Sequence, residues 1–356
     1  MKIALSGYYG FDNAGDEALL SAICRTIQQL EPQAEFVVFS GSPGKTTQMH
    51  GLRAVNRMNP WQLIRELLTS DLLISGGGSL LQDVTGPRSL PYYISIVALA
   101  KALGRPVIFY AQGIGPINRN FSKWLMRKVA NKVDFITLRD EDSLLLLREL
   151  GINRPPIKVT ADPVFALEPS PFDFQKAQSI IDKLGIAGPR LLGVSVRPWP
   201  ALEGYQPILA KVLDELVQKD CRVVFIPMDY SRDWPESKRV LDLMNEKGYI
   251  IQEHLSSLEH IALLSHFDLL VGMRLHSLIF AANRGVPFAG IAYDPKIVAF
   301  LKSFGLKPLP DKSDEILVEL EKLLANPDLS EDISSRVRAM RSRAVENASL
   351  ALSLIQ

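Results

Sequence analysis

Short apolar runs alternate with amphipathic stretches along most of the chain. The runs Lys2 to Ser6, Glu35 to Phe39, Asp71 to Ser75, Pro106 to Ala111, Phe135 to Leu138 and Lys158 to Thr160 have the length and composition of strands. Between them, Asp16 to Leu30, Trp61 to Leu68, Pro91 to Leu103, Phe121 to Asn131 and Glu141 to Leu150 place apolar residues at helical spacing. Such alternation predicts parallel strands with helices on both faces.

The pattern breaks over Pro163 to Phe174, where Glu168-Pro169-Ser170-Pro171 has the composition of a linker. A second series follows, with strands near Leu191 to Val196, Arg222 to Ile226, Tyr249 to Gln252, Leu269 to Val271 and Pro287 to Ile291. After Pro310, Ser313 to Leu324 and Glu331 to Leu354 read as helices, the second long enough to pack back across the junction. The expected fold is α/β, with two doubly wound Rossmann-like domains facing a cleft, one over residues 1–168 and one over 169–356. A length of 356 residues agrees with two cores rather than one.

Forty lysines and arginines against 39 acids leave a formal net charge of +1, which provides no global field for nucleic acid. Any anion site is therefore local. The two cysteines, Cys24 and Cys221, form no CxxC and read as buried thiols. No pair of the five histidines has the i, i+4 spacing of a helical metal site, so no metal is expected. The start runs straight into a strand pattern without the apolar core of a secretory signal, which predicts a cytoplasmic location. No apolar run reaches the roughly 18 residues of a membrane span, which leaves peripheral docking at the inner face of the membrane open.

Open parallel sheets bind ligands beyond the carboxyl ends of their strands, and the unusual residues of this chain concentrate there. After the first strand, Gly7 to Glu17 carries Asn13 and Asp16 into a helix, either as caps or as ligand groups. Ser75-Gly76-Gly77-Gly78-Ser79 follows a strand, and three consecutive glycines suit a ligand approaching the backbone or a tight turn. Gly113 lies in a similar turn. Arg139 ends a strand, and Asp140-Glu141-Asp142 beyond it reads as a helix start favoured by the dipole rather than as a DxD metal motif. Arg197 ends a strand in the second domain. Arg274 and His276, in Met273-Arg274-Leu275-His276, pair a fixed cation with a titratable group, and Lys296 follows the next apolar run. There is no GxSxG elbow and no P-loop.

Taken in order, Asn13-Ala14-Gly15-Asp16-Glu17, Gly76 to Gly78, Gly113-Ile114-Gly115-Pro116, Leu138-Arg139-Asp140, Ala161-Asp162-Pro163, Val194-Ser195-Val196-Arg197 and Met273-Arg274-Leu275-His276 resemble the polysaccharide pyruvyl transferase family, especially the bacterial cell-wall type linked to S-layer anchoring. One departure is Asp12, where many members have glycine. The resemblance implies a fold like the B-type glycosyltransferases. It also implies transfer of pyruvate from phosphoenolpyruvate onto two hydroxyls of one sugar, forming a cyclic ketal and releasing phosphate, with no cofactor. The implied acceptor is a saccharide, in the cell-wall type typically lipid-linked and containing N-acetylmannosamine, with the first domain on the acceptor side and the second on the donor side.

In that chemistry Arg139, Arg274, Arg197 and Lys296 are expected to hold the anionic donor, the arginines in bidentate fashion. His276 is the candidate acid and base, with Lys296 and Arg274 stabilising charge and Asp16 orienting or deprotonating the acceptor. Asn13, Gly76, Gly77, Gly78 and Gly113 are expected to contribute binding. A nucleotide-sugar glycosyltransferase of the same architecture is the alternative, and a non-catalytic saccharide-binding protein a third.

Overall fold

The computed structural model describes residues 1–84, 86–186, 190–199, 202 and 204–355. Gln356, the last residue of the second predicted domain, lies outside the described residues. The chain divides into two compact units, the first containing residues up to Leu167 together with those from Ala339 onward, the second running from Glu168 to Arg338.

Unit 1 is built on seven strands, β1 (Lys2–Tyr9), β2 (Glu35–Ser40), β3 (Arg53–Asn56), β4 (Leu72–Gly76), β5 (Val107–Gln112), β6 (Phe135–Leu138) and β7 (Ile157–Val159). Their hydrogen-bonded order is β3-β2-β1-β4-β5-β6-β7, and every pairing is parallel. Period-two alternation sorts the side chains between two cores. Ala4, Val37, Phe39, Leu73, Val107 and Phe109 face one cluster, whereas Ile3, Leu5, Val38, Leu72, Ile74 and Ile108 face the other. The first cluster is closed by α3 (Pro60–Leu68), α4 (Ser89–Ala102), α5 (Asn120–Ala130) and α6 (Glu141–Glu149). The second is closed by α1 (Ala14–Leu30), whose Leu20, Ile23 and Ile27 are buried in it.

Unit 2 repeats the plan with β8 (Arg190–Ser195), β9 (Cys221–Phe225), β10 (Gly248–Ile250), β11 (Leu269–Gly272) and β12 (Phe288–Gly290), parallel in the order β10-β9-β8-β11-β12. Its helices are α7 (Pro171–Leu184), α8 (Tyr205–Gln218), α9 (Tyr230–Leu243), α10 (Ser257–Leu264), α11 (Leu275–Asn283), α12 (Pro295–Ser303) and α13 (Ser313–Ala325). Helices α7 and α10 start at capping boxes, Ser170 with Asp173 and Ser256 with Glu259. In both sheets the strand order reverses beside the first strand of the unit, between β1 and β4 and between β8 and β11. A ligand crevice is expected at such switch points.

Three expectations are corrected. The expected linker begins with a buried 3₁₀ turn, Pro163–Ala166, which the Asp162 side chain caps by accepting from Val164 N–H at 3.1 Å. The division falls after Leu167, and the segment from Ala339 onward belongs to unit 1, not to a domain spanning 169–356. The reason is burial: the last turns of α14 (Leu329–Leu352) place Ala348, Ala351 and Leu352 in the cluster of Ile3 and Leu5. There Asn347 donates to Ala161 O at 3.1 Å and accepts from Thr160 Oγ1 at 2.7 Å. Strand β3 and α2 (Pro43–His50) were not foreseen, because each buries only one residue fully, Val55 and Thr46.

Candidate functional site

The predicted site residues fall beyond the carboxyl ends of strands, one set in each unit. In unit 1, Asn13 is the residue that caps α1, its Oδ1 accepting from Gly15 N–H at 3.0 Å, and Asp16 stands in the first turn. The loop before them turns through two left-handed positions, Gly10 at φ 79° and Asp12 at φ 57°. Buried Glu17 fastens it by accepting from Gly10 N–H at 2.8 Å.

The glycine turns meet each other here. Gly113 N–H donates to Gly78 O at 2.9 Å, and Tyr9 Oη donates to Gly76 O at 3.1 Å. Gly77 and Gly78 are both left-handed, which only glycine adopts readily. A Cβ on Gly78 would lie 3.4 Å from Asp16 Oδ1, so Asp16 and the triplet are neighbours. A Cβ on Gly113 would lie 2.6 Å from both Nε and Nη2 of Arg139, so the guanidinium rests against the bare backbone.

The Arg139 side chain is 6% exposed, with Nη1 at 3.1 Å from Asp162 Oδ2, Nη2 donating to Ser79 Oγ at 2.8 Å and Nε at 3.7 Å from Asp140 Oδ2. Its fork is thus held by the protein, and a bidentate grip on a donor is replaced by a fixed buried cation. Asp140 itself caps α6, accepting from Ser143 N–H at 2.8 Å.

In unit 2, Arg274 caps the start of α11 after β11, and His276 is in its first turn. Here too a bidentate grip on the donor is corrected. Arg274 Nε and Nη2 donate to Asp233 Oδ2 and Oδ1 at 3.0 and 2.5 Å, with Asp229 Oδ2 at 3.7 Å. Asp233 is fully buried and also accepts from Asp229 N–H at 2.9 Å. Burial pushes the Asp233 carboxyl above its ordinary range despite Arg274. Burial also opposes the charge on Arg274, whose pKa the Asp233 carboxylate nonetheless holds above the ordinary value.

Tyr293, whose part was not legible in the sequence, is the hub of the remaining cations. Arg197 Nη1 donates to Tyr293 Oη at 3.1 Å, and the guanidinium carbon lies 5.2 Å from both the Tyr293 and Trp199 ring centres. Lys296 Nζ stands 6.0 Å from the Tyr293 ring centre and 3.4 Å from Asp294 Oδ2. An ionised Tyr293 would raise the pKa of Arg274, which marks the two as near each other. Beside Arg197, the Tyr205 hydroxyl donates to Glu236 Oε1 at 2.7 Å and lies 3.3 Å from Arg197 O. The Arg197 Nε is buried without a hydrogen-bond partner among the described residues.

Comparison with known proteins gives the family and the fold. The family described as polysaccharide pyruvyl transferase matches residues 13–295. The amylovoran biosynthesis protein AmsJ of Erwinia amylovora is 25% identical over 302 residues, covering 80% of this chain and 71% of that protein. Among solved structures, the S. aureus MnaA–UDP complex superposes with a TM-score of 0.67 at 11% identity, covering 97% of this chain and 94% of that one. UDP-GlcNAc 2-epimerase from Neisseria meningitidis bound to UDP-GlcNAc gives 0.66 at 13% identity over 99% and 100%. Anabaena Alr3699/HepE with UDP-glucose gives 0.61 at 14% over 100% and 97%. At these identities the likeness is one of fold, two Rossmann-like domains of the B-type glycosyltransferase kind.

Proposed function

Because the chain belongs to the polysaccharide pyruvyl transferase family, we propose that it moves pyruvate from phosphoenolpyruvate onto two hydroxyls of one sugar in a surface-polysaccharide precursor, forming a cyclic ketal and releasing phosphate. The observation that carries the donor reading is the set around Tyr293. Arg197 and Lys296 share its ring, Arg274 lies within its electrostatic reach, and His276 is in the helical turn that Arg274 caps. A carboxylate and a phosphate on one small molecule call for several cations beside one proton carrier.

In this reading His276 gives a proton to the methylene carbon while a sugar hydroxyl adds to the neighbouring enol carbon and passes its own proton to the donor phosphate. The second hydroxyl then forms its bond to that carbon as the carbon–oxygen bond to phosphate breaks, its proton returning to His276. Lys296 and Arg197 hold the donor anion, and Arg274, committed to Asp233, supplies charge rather than a fork. Asp16, with Asn13, the Gly76 to Gly78 turn and Gly113, orients the acceptor hydroxyl, and Arg139 is the fixed cation of that set. No cofactor takes part.

The test is incubation of the protein with candidate saccharide acceptors and either phosphoenolpyruvate or nucleotide sugars. Inorganic phosphate together with a pyruvyl ketal on the acceptor, seen by mass spectrometry, is the expected result. Sugar transfer with nucleotide release, and no ketal, would replace this reading with the glycosyltransferase alternative.

A further inference from the structure

The near balance of charge in this chain is broken over a long stretch of unit 1. Residues 84–133 contain eight lysines and arginines and no aspartate or glutamate, in a protein of 40 basic and 39 acidic residues. The stretch covers α4, β5 and α5 of unit 1. Some of its cations are spoken for: Lys101 pairs with Asp134 at 2.7 Å, Arg105 donates to Leu68 O, and Arg119 N–H donates to Asp83. Lys123, Arg127 and Lys128 on α5 and Lys132 just beyond it are exposed, and none has a carboxylate within 4.0 Å among the described residues.

The same helix exposes two large aromatic rings. Phe121 is 61% and Trp124 49% exposed, stacked with ring centres 6.0 Å apart, while Ser122, Met126 and Ala130 bury the opposite face. Phe121, Trp124 and Lys128 follow at i, i+3 and i+7, on one stripe. On the same side of the sheet, α3 adds Trp61 at 80% exposure, and Met58 before it is 70% exposed. Crossover helices run opposite to the parallel strands they join. Phe121, Trp124 and Trp61, all in first or second turns, therefore lie toward the edge of the sheet that carries Asn13, Gly78 and Gly113.

Exposed indole and phenyl rings among unpaired cations are poorly matched to water. They match the headgroup layer of a bilayer, where aromatic rings settle at the interface and basic side chains meet anionic lipids. Among the described residues no helix is long and apolar enough to cross a membrane, and such a surface gives access to lipid-borne material. We propose that the outer face of α5, with Phe121 and Trp124 as inserted rings and Lys123, Arg127 and Lys128 as headgroup contacts, docks this protein on an anionic lipid bilayer. The docking extends the pyruvyl-transfer reading by stating where a lipid-carried acceptor is met, and it does not depend on the identity of the donor.

The full-length protein is to be sedimented with vesicles of phosphatidylglycerol and, separately, of phosphatidylcholine. The expected result is capture by the anionic vesicles, lost at high salt, and little by the zwitterionic ones. The pairs Phe121→Ser with Trp124→Ser, and Lys123→Glu with Arg127→Glu, should each weaken capture on the order of tenfold or more. Thermal unfolding and phosphate release with a soluble saccharide should stay at the wild-type level, since all four side chains are exposed. Failure of the anionic vesicles to capture the wild-type protein, or unchanged capture of both variants, overturns the docking surface. Absence of phosphate release by the wild-type protein overturns the pyruvyl-transfer reading and leaves the vesicle result standing.

Discussion

His50 Nε2 lies 2.7 Å from Glu17 Oε2, with side chains only 8% and 5% exposed, and this contact ties α2 to α1. The other imidazole nitrogen, Nδ1, is 3.3 Å from Ser21 Oγ, while the second oxygen of Glu17 holds Gly10 N–H. One buried pair thereby fixes the loop that delivers Asn13 and Asp16. His50→Ala leaves a carboxylate oxygen buried without its partner, at a cost of roughly 1–3 kcal/mol. Chemical denaturation should show that loss, and acceptor saturation should weaken while donor saturation stays unchanged. Equal weakening for both substrates would remove the pair from acceptor positioning.

Gly113 is a glycine because of Arg139. A methyl group there would lie 2.6 Å from two guanidinium nitrogens that Asp162 and Ser79 hold in place. Gly113→Ala should fold normally and lose turnover on the order of a hundredfold, since a shift of about 1 Å in a positioned group has that effect. Wild-type turnover in Gly113→Ala would show that the placement of Arg139 is unimportant.

Asp233→Ala strands the Arg274 cation in a buried site and should destabilise unit 2 by about 3–5 kcal/mol. Replacing both partners by apolar residues, Asp233→Leu with Arg274→Met, should recover much of that stability without recovering turnover. Equilibrium unfolding of the three proteins separates the contribution of the pair to folding from its contribution to chemistry.

His276→Ala should remain folded and lose phosphate release by about 10²–10⁴-fold, the usual worth of a positioned acid or base. Near-normal turnover of this variant would assign the proton transfer to another group.

Acid should weaken unit 2. Burial lowers the pKa of His260, whose Nδ1 and Nε2 lie 3.0 and 3.2 Å from Ser256 O and Pro227 O, and burial also lowers that of His266. The unfolded chain takes up these protons near about pH 6.5, whereas the folded protein does so only at lower pH. The unfolded state therefore binds more protons in between. The stabilisation is complete above about pH 6.5 and declines as pH falls toward the folded values. His260→Gln should flatten, without abolishing, the loss seen by urea denaturation between about pH 7 and pH 5. An unchanged slope would place its origin elsewhere.

What the sequence showed was decided by local burial. Phe135 to Leu138 was readable as a strand to the residue, because a strand buried on both faces is a plain apolar run. Arg53 to Asn56 was not, since Val55 alone is fully buried and the rest looks like loop. The positions of Asn13, Gly113, Arg139, Arg274 and Lys296 at strand ends were equally legible. Their partners were not: Asp233 lies 41 positions from Arg274 and Asp162 lies 23 from Arg139, pairings made by the fold and carrying no local signature. The role of Tyr293 was hidden likewise, because a tyrosine between two turns is ordinary until Arg197, 96 positions away, is seen to bond to it.

The burial of Ala348, Ala351 and Leu352 beneath β1 has a bearing on biosynthesis. Strand β1 is translated well before the helix that covers it, and unit 2 lies between them in the chain, so unit 1 closes only after unit 2 has been made. Until then Ile3, Leu5 and Ile74 form an open greasy surface on the nascent chain, the kind of surface that chaperones shield.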